Sequence, residues 1–472
     1  MSHYEKISVK TIQAQSRLTN QGQHIAESKM RILHVCYTYL PDAVGGTELY
    51  VQALARELGA HGITSSIAAP GSTSAFYQRD GIEVYRFNPT LEGIAAASGI
   101  PDIGAANSFA KIIESVDPDI LHIHARTSAI SELLIDKAKA VGKQVVITYH
   151  SPTVTCTRGT MLLYGATPCD GAMEIRRCTE CSLNLKGLGI FSKPLAYSPR
   201  HLGKWLDQQG LRGGLWLAIR MRQIVSDQIK TTERFLQKAD LVIAPCIWVA
   251  DLLKLNGIPR ERLRLCRQGL IHRQADPSTE RVEEMGTSKA ARHHQLRLGC
   301  FARLDPTKGL DFLIKVLKSI PDAPIELCIY GITQNESRLP SGSLEYLAEC
   351  DQRVNFLPPL PADKVLEAMA QLDLVVVPSL WLETGPLVVL EAFAAGVPVL
   401  GSDRGGIAEL VRSGIDGQLL PTGDLKAWSK SLSILAANPE IVIEWRKNVK
   451  NPRTMTVVAE EMAQHYASIL KP

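Results

Sequence analysis

No apolar run of membrane-spanning length in this 472-residue chain lacks charge. The longest candidate, Leu372 to Gly401, is broken by Asp373, Glu383, Glu391 and several prolines. A strong charge bias is missing too: the formal net charge of +4 gives no reason to expect nucleic acid as a partner. Residues 1–29 are polar and lack the apolar stretch of a secretory signal. They read as a flexible extension rather than an ordered arm, and a cytoplasmic location is expected. The chain has ample length and an ordinary composition, 45% hydrophobic and 21% charged, which predicts a soluble protein of two or more domains.

Short apolar runs alternate with amphipathic, helix-length stretches in both halves. The strand candidates of the first half are Arg31–Tyr37, Thr64–Ala69, Ile82–Phe87, Ile120–His124, Gln144–Tyr149 and Leu241–Ala244. Those of the second are Leu296–Phe301, Ile325–Tyr330, Val354–Leu357, Leu374–Val377 and Val397–Gly401. Continuous apolar strands separated by helices indicate parallel sheets covered on both faces. The expected fold class is therefore α/β, two doubly wound, Rossmann-like domains facing a cleft, with ligands at the carboxyl ends of the strands. We expect an N-terminal domain over 30–270, a C-terminal domain over 271–450 and a last helix over 451–472. The irregular stretch Gln268–His294 is the expected hinge.

Chemistry gathers at the strand ends. Glu383 and Glu391 flank Thr384-Gly385-Pro386-Leu387-Val388 after the Leu374–Val377 strand. Pro386 suits the first turn of a helix, Leu387 and Val388 then offer amides to a phosphate, and Gly385 permits close approach. Glu391, one or two turns in, can accept from both hydroxyls of a ribose; a surface pair on a capped helix is the plainer alternative. Arg303 and Lys308 follow Leu296–Phe301 and place two cations where a diphosphate could be neutralised. Gly45-Gly46-Thr47-Glu48 separates the first strand from the first helix and offers a second anion-binding turn. His124 and His150 end successive strands within reach of the cleft, whereas His122 reads as structural.

This set, Gly45-Gly46-x-Glu48, His150, Arg303, Lys308 and the E-x7-E pair Glu383/Glu391, is similar to that of the family 4 retaining glycosyltransferases (glycosyl transferases group 1). Those enzymes have the GT-B fold. The resemblance runs from about Met30 to the C-terminus and is more specific in the second half. It implies that Arg303 and Lys308 hold the diphosphate of a nucleotide-sugar donor, Glu383 the transferring sugar, Glu391 the ribose, Gly46 a phosphate and His150 a sugar hydroxyl. It also implies a last helix that crosses back to the N-terminal domain, a catalytic step that requires no cofactor, and front-face attack with retention. Ala302 stands where the family usually has Gly, and Thr384-Gly385-Pro386 where Gly-Phe-Gly is commoner. The acceptors implied are carbohydrate or lipid-linked, as in cell-surface polysaccharide, lipopolysaccharide or glycolipid synthesis. A phosphorylase or epimerase on the same fold, or a non-catalytic binding protein, are the alternatives.

Six of the ten cysteines are scattered in apolar contexts and read as small buried hydrophobes of a reduced protein. The other four, Cys156, Cys169, Cys178 and Cys181, fall in an insert at about 153–238. Four thiolates can close a tetrahedral structural zinc site, with an iron–sulfur cluster, free thiols or a disulfide as alternatives. From Arg176 to Lys238 there are twelve Lys/Arg against four Asp/Glu, together with Trp205 and Trp216. Two readings follow: a surface that contacts the inner face of a membrane, or a solvated helix face with its tryptophans packed inward.

Overall fold

The computed structural model describes residues 30–42, 45–91, 100–271, 295–332 and 351–470. The N-terminal extension and most of the expected hinge, 272–294, lie outside the described residues. Two largely parallel sheets carry the fold. The first comprises β1 (Met30–Val35), β2 (Ile63–Pro70), β3 (Ala75–Arg79), β4 (Ile82–Phe87), β5 (Ile120–Ile123), β6 (Gln144–Thr148), β7 (Leu241–Ala244) and β8 (Leu263–Leu265). Their order is β8-β7-β6-β5-β1-β2-β4-β3, all parallel except the edge strand β3. The second comprises β9 (Leu296–Arg303), β10 (Ile325–Ile332), β11 (Val354–Leu357), β12 (Leu374–Val377), β13 (Val399–Ser402) and β14 (Gly417–Leu420). Their order is β11-β10-β9-β12-β13-β14, and every pairing is parallel.

The physical cause is visible strand by strand. β5, β7 and β12 are buried at every residue, as strands with helices on both faces must be. The strands absent from the sequence reading are β3, β8 and β14. Each lies at or near a sheet edge, where partial exposure replaces a continuous apolar run with a mixed one.

The helices that matter below are α1 (Gly46–Gly59), α2 (Ile175–Leu185), α3 (Arg200–Gln208), α4 (Gly214–Gln237), α5 (Ile247–Leu255), α6 (Leu387–Ala394), α7 (Gly405–Leu410) and α8 (Met455–Leu470). The last helix, α8, returns to the first sheet. Met455, Val458, Ala459, Met462 and Tyr466 are buried in one apolar cluster with Ile32 of β1 and Leu54 of α1. Helices α2 and α4 of the insert share a small core of their own, including Leu183, Met221 and Val225. No helix among the described residues is long and apolar enough to cross a membrane.

In each sheet the chain order reverses once, between β1 and β5 in the first and between β9 and β12 in the second. Doubly wound sheets bind ligands outside the strand ends at such reversals. Both reversals are lined by residues singled out above.

Candidate active site

At the second reversal, the loops after β9 and β12 are locked together. Asp305 Oδ1 accepts from the Thr307 amide at 2.9 Å and from its hydroxyl at 2.6 Å, closing a turn around Pro306. Gly309 follows at φ +74°, and a Cβ there would collide with the Pro378 carbonyl, so the turn can press against the second loop. The Leu380 amide donates to Thr307 O at 2.8 Å. This delivers Lys308 to Glu383: Nζ donates to Oε1 at 2.7 Å. Ser379 Oγ (2.7 Å) and Trp381 Nε1 (2.8 Å) donate to the same oxygen. Glu383 is only 8% exposed. Burial pushes its carboxyl up, but the Lys308 charge and the three hydrogen bonds outweigh that and hold it below the usual carboxylate range. Arg303 is the last residue of β9, which runs two residues further than the sequence suggested, and its side chain is exposed.

Two helix N-termini meet beside the Glu383 loop. Helix α6 begins at Leu387; Pro386 is its extended N-cap (φ −74°, ψ 95°) rather than its first helical residue, a correction to the sequence reading. The Pro386 carbonyl accepts from the Val389 amide, so the residue enters the helical hydrogen-bonding pattern without adopting helical dihedrals. The amides of Leu387 and Val388 open the helix. Gly385 lies against the Gln268 side chain of the first domain, with no room for a Cβ. Glu391 sits in the second turn, where burial pushes its carboxyl up to about 7. Across the boundary, Gly45 caps α1 and its amide donates to Glu48 Oε2 at 2.9 Å. A Cβ on Gly46 would stand 3.2 Å from Leu387 Cδ1, so the first turns of α1 and α6 meet.

His150 ends a hydrogen-bonded row of imidazoles. His34 Nδ1 is 3.1 Å from His124 Nε2, and His124 Nδ1 is 3.0 Å from His150 Nε2. Burial pushes His34 and His150 down to about 3 and holds His122 and His124 well below the ordinary range, so all four rings are neutral at physiological pH. His122 bonds Tyr466 Oη and Thr148 Oγ1, both at 2.7 Å, and is structural as expected. His34, His122 and His124 are also the group of three ligand atoms within 4.8 Å among the described residues. Hydrogen bonds between the rings and to Tyr466 and Thr148 account for that grouping.

Sequence reasoning missed the residues that fasten the two domains. Glu409 of α7 accepts from the amides of Ile247 (2.8 Å) and Trp248 (2.9 Å) at the start of α5 and from Arg267 Nη1 (2.8 Å). Trp248 Nε1 and the Gly406 amide both donate to Glu383 O, at 2.9 and 2.7 Å. Thr384 Oγ1 donates to His150 O at 2.7 Å. A signal was present: Gly405-Gly406-x-x-Glu409 after β13 has the glycine-pair-then-glutamate form of the turn after β1.

The four insert cysteines line one small cavity, together with Met161 and Arg177. Backbone amides donate to two of the sulfurs, Tyr164 N to Cys181 Sγ (3.2 Å) and Gly171 N to Cys169 Sγ (3.4 Å). No three of these sulfurs lie within 4.8 Å of one another, so the set is gathered but not closed. In number, donor chemistry and amide support the residues fit a structural metal. Every described cysteine is free of disulfides. The inward packing weighed for the tryptophans is overturned: Trp205 is 54% and Trp216 41% exposed. The short amphipathic α3 and the first turn of α4 each leave one such ring outside the small insert core.

Two family profiles match the chain. "Glycosyltransferase Family 4" covers residues 44–168, and "Glycosyl transferases group 1" covers 283–451, which includes Arg303, Lys308, Glu383 and Glu391. A D-inositol 3-phosphate glycosyltransferase of Nocardia farcinica is 29% identical over 214 residues, 43% of this chain and 46% of that protein. The amylovoran biosynthesis glycosyltransferase AmsK of Erwinia amylovora is 25% identical over 266 residues, 52% of this chain and 62% of that protein. The chain thus spans roughly half the length of these curated relatives. Among solved structures, Anabaena Alr3699/HepE in complex with UDP-glucose superimposes with a TM-score of 0.60 at 17% identity, covering 93% of this chain and all (100%) of that one. Sucrose-phosphate synthase from Thermosynechococcus elongatus gives 0.59 at 17%, covering 93% and 99%. These likenesses establish the fold as GT-B.

Proposed function

We infer that this chain, which belongs to the family 4 (group 1) glycosyltransferases, moves a sugar from a nucleoside diphosphate onto an acceptor with retention of configuration. One observation carries the reading. A buried carboxylate and a lysine, Glu383 and Lys308, meet at a sheet reversal, on a loop that leads into the first turn of α6 where α1 touches it. In the donor complex Lys308 and Arg303 neutralise the diphosphate, helped by the amides of Leu387 and Val388 and the turn at Gly45 and Gly46. Glu383 takes sugar hydroxyls, Glu391 the ribose hydroxyls, and His150, neutral, a sugar hydroxyl.

The step is then a front-face exchange. The bond from C1 to the diphosphate oxygen breaks with its electron pair on that oxygen. The acceptor oxygen bonds C1 on the same face, and its proton passes to the departing phosphate oxygen. Pairing of Lys308 with Glu383 before the donor arrives keeps either charge from standing alone in a dry site, and donor binding exchanges that contact for two others. The interdomain bonds of Glu409 and Thr384 hold the halves close enough to limit hydrolysis.

The acceptor we favour is a cell-surface polysaccharide, lipopolysaccharide or glycolipid precursor. Support comes from the insert, where Leu185, Ile190, Phe191, Trp205, Leu215 and Trp216 are exposed among basic residues, a composition suited to peripheral contact with an anionic membrane. Within the insert, Cys156, Cys169, Cys178 and Cys181 hold a structural zinc ion. Metal analysis of purified protein tests this: about one zinc per chain is expected, lost on Cys178→Ser, and no bound metal refutes it.

The reaction is tested with a panel of nucleotide sugars by ligand-observed NMR, followed by the anomeric coupling of the product. Binding of a nucleotide sugar that Glu391→Ala abolishes, and a product of unchanged anomeric configuration, are expected. An inverted product refutes the mechanism; binding that Glu391→Ala leaves intact refutes the site.

A further inference from the structure

The row of imidazoles beside the donor loops has two ends, and an unpartnered polar atom is buried at each. At one end, His34 Nε2 has no hydrogen-bond partner. At the other, His150 Nδ1 lies 3.5 Å from Gln268 Nε2, and Gln268 Oε1 is buried without a partner. Between the ends, each contact joins Nδ1 of one ring to Nε2 of the next. His34 Nδ1 meets His124 Nε2 at 3.1 Å, and His124 Nδ1 meets His150 Nε2 at 3.0 Å.

A neutral imidazole has one N–H donor and one bare acceptor nitrogen. Burial keeps all three rings neutral. In a head-to-tail row of neutral rings, the state of one ring dictates the state of the others. Either every ring carries its proton on Nε2 and accepts at Nδ1, or every ring does the reverse. Gln268 decides between them. With its Nε2 towards His150 the amide donates to Nδ1, every ring holds its proton on Nε2, and His34 keeps one orphan N–H. Turning the amide over would bring two N–H groups into the buried position where the oxygen now finds no partner. Buried orphan N–H groups are rarer in folded chains than under-used acceptors, so the first arrangement is the cheaper one.

The donor loop holds the amide there. Gly385 packs so closely against Gln268 that a Cβ would stand 2.2 Å from Oε1. Thr384, the residue before it, donates to the His150 carbonyl at 2.7 Å. The loop that carries Glu383 thus grips His150 twice, at its backbone through Thr384 and at its ring through Gln268. Tyr50 meets the same ring edge-on, with 5.0 Å between centroids.

We propose that Gln268 is a positioning residue. Together with His124 and His34, it fixes His150 in the tautomer that accepts at Nδ1, so that the ring meets a donor-sugar hydroxyl as an acceptor. The proposal rests on the transfer reading above and deepens it, assigning the groups that stand behind His150. At 3.5 Å the Gln268 contact is long for a hydrogen bond, so an arriving hydroxyl can replace it. A carboxylate at this position would act in the opposite sense. It would draw the proton to Nδ1 in a charge-assisted bond, reverse all three rings, and hold His150 against displacement by a hydroxyl.

The test reads ring tautomers directly, by two-bond proton–nitrogen NMR of the full-length protein labelled with nitrogen-15 histidine. Signals are assigned by their disappearance from His34→Asn, His124→Asn and His150→Asn. In the wild type, all three rings are expected to show an unprotonated Nδ1. Gln268→Glu is expected to reverse all three together, and Gln268→Leu to leave both forms present. The consequence for binding is the ratio of nucleoside diphosphate Kd to nucleotide-sugar Kd, measured over a panel of bases and sugars. That ratio is expected to fall at least fivefold in both variants. Wild-type rings protonated at Nδ1, or rings whose state neither variant changes, overturn the proposal. So does a reversed row with an undiminished ratio. Rings that reverse as stated, in a protein that binds nucleoside diphosphates but gains nothing from the sugar, support the assignment of the row and overturn the transfer reading instead.

Discussion

Replacing Glu391 with Gln should make the protein more stable and less able to hold its donor. Burial raises this carboxyl from its ordinary 4.5 to about 7. Between those values the folded chain keeps a proton that the unfolded chain releases, so stability falls as pH rises through the window. Two and a half pH units at about 1.4 kcal/mol each give roughly 3.5 kcal/mol, and partial exposure of the side chain trims this to about 2 kcal/mol. Glu391→Gln removes the ionisable group and with it the loss. Unfolding of the wild type and the variant should therefore coincide near pH 4. Above pH 7 the variant should be the more stable by about 2 kcal/mol, or some 4–8 °C in the melting of the domain that carries α6. Thermal scans at four pH values between 4 and 8, paired with nucleoside diphosphate titration at pH 7.5, read both effects. Loss of the charged acceptor should weaken donor binding at least tenfold in the same variant. A stability difference that does not change with pH refutes the assigned burial cost. A more stable variant with undiminished nucleotide affinity refutes the ribose role.

Three further outcomes follow from the geometry. Lys308→Met strands the Glu383 carboxylate in a site that is 8% exposed, and should cost about 3–5 kcal/mol in urea unfolding as well as abolishing transfer. Adding Glu383→Gln should restore most of that stability and none of the activity, and additive losses would refute the pairing. Glu409→Ala removes three bonds to the first domain, and should raise the ratio of donor hydrolysis to transfer and enlarge the scattering radius; an unchanged ratio would refute the latch. His34 and His150, pushed down to about 3 by burial, take up protons only on unfolding. Stability should thus fall as pH drops from 6.5 towards 3, by about 1.4 kcal/mol per pH unit and ring, and kcat should show no histidine ionisation between pH 5 and 8.

The donor loops were legible because their information is local. Gly309 must follow Lys308 at positive φ, Gly385-Pro386 must precede a helix, and both motifs sit within ten residues of a continuous apolar strand. Where the signal was not local it failed. Strands β3, β8 and β14 are partly exposed and carry no continuous apolar run, and Pro386 fell one position outside its helix because dihedral angles, not residue type, set that boundary. Trp205 and Trp216 point outward, although their size alone favoured burial, because α3 and the start of α4 have only a small core to pack against.

By itself, then, the amino-acid sequence determined two parallel sheets and the residue types at their reversals. Burial on both faces imposes a continuous apolar pattern, and tight turns impose glycine. Tertiary structure alone decided which of those residues meet. Lys308 reaches Glu383 across 75 residues of chain, Thr384 reaches His150 across 234, and Tyr466 reaches His122 across 344. Such contacts depend on strand order and on how one domain rests against the other. No periodicity in a linear sequence encodes either, since the same local pattern serves every order in which the strands could pair.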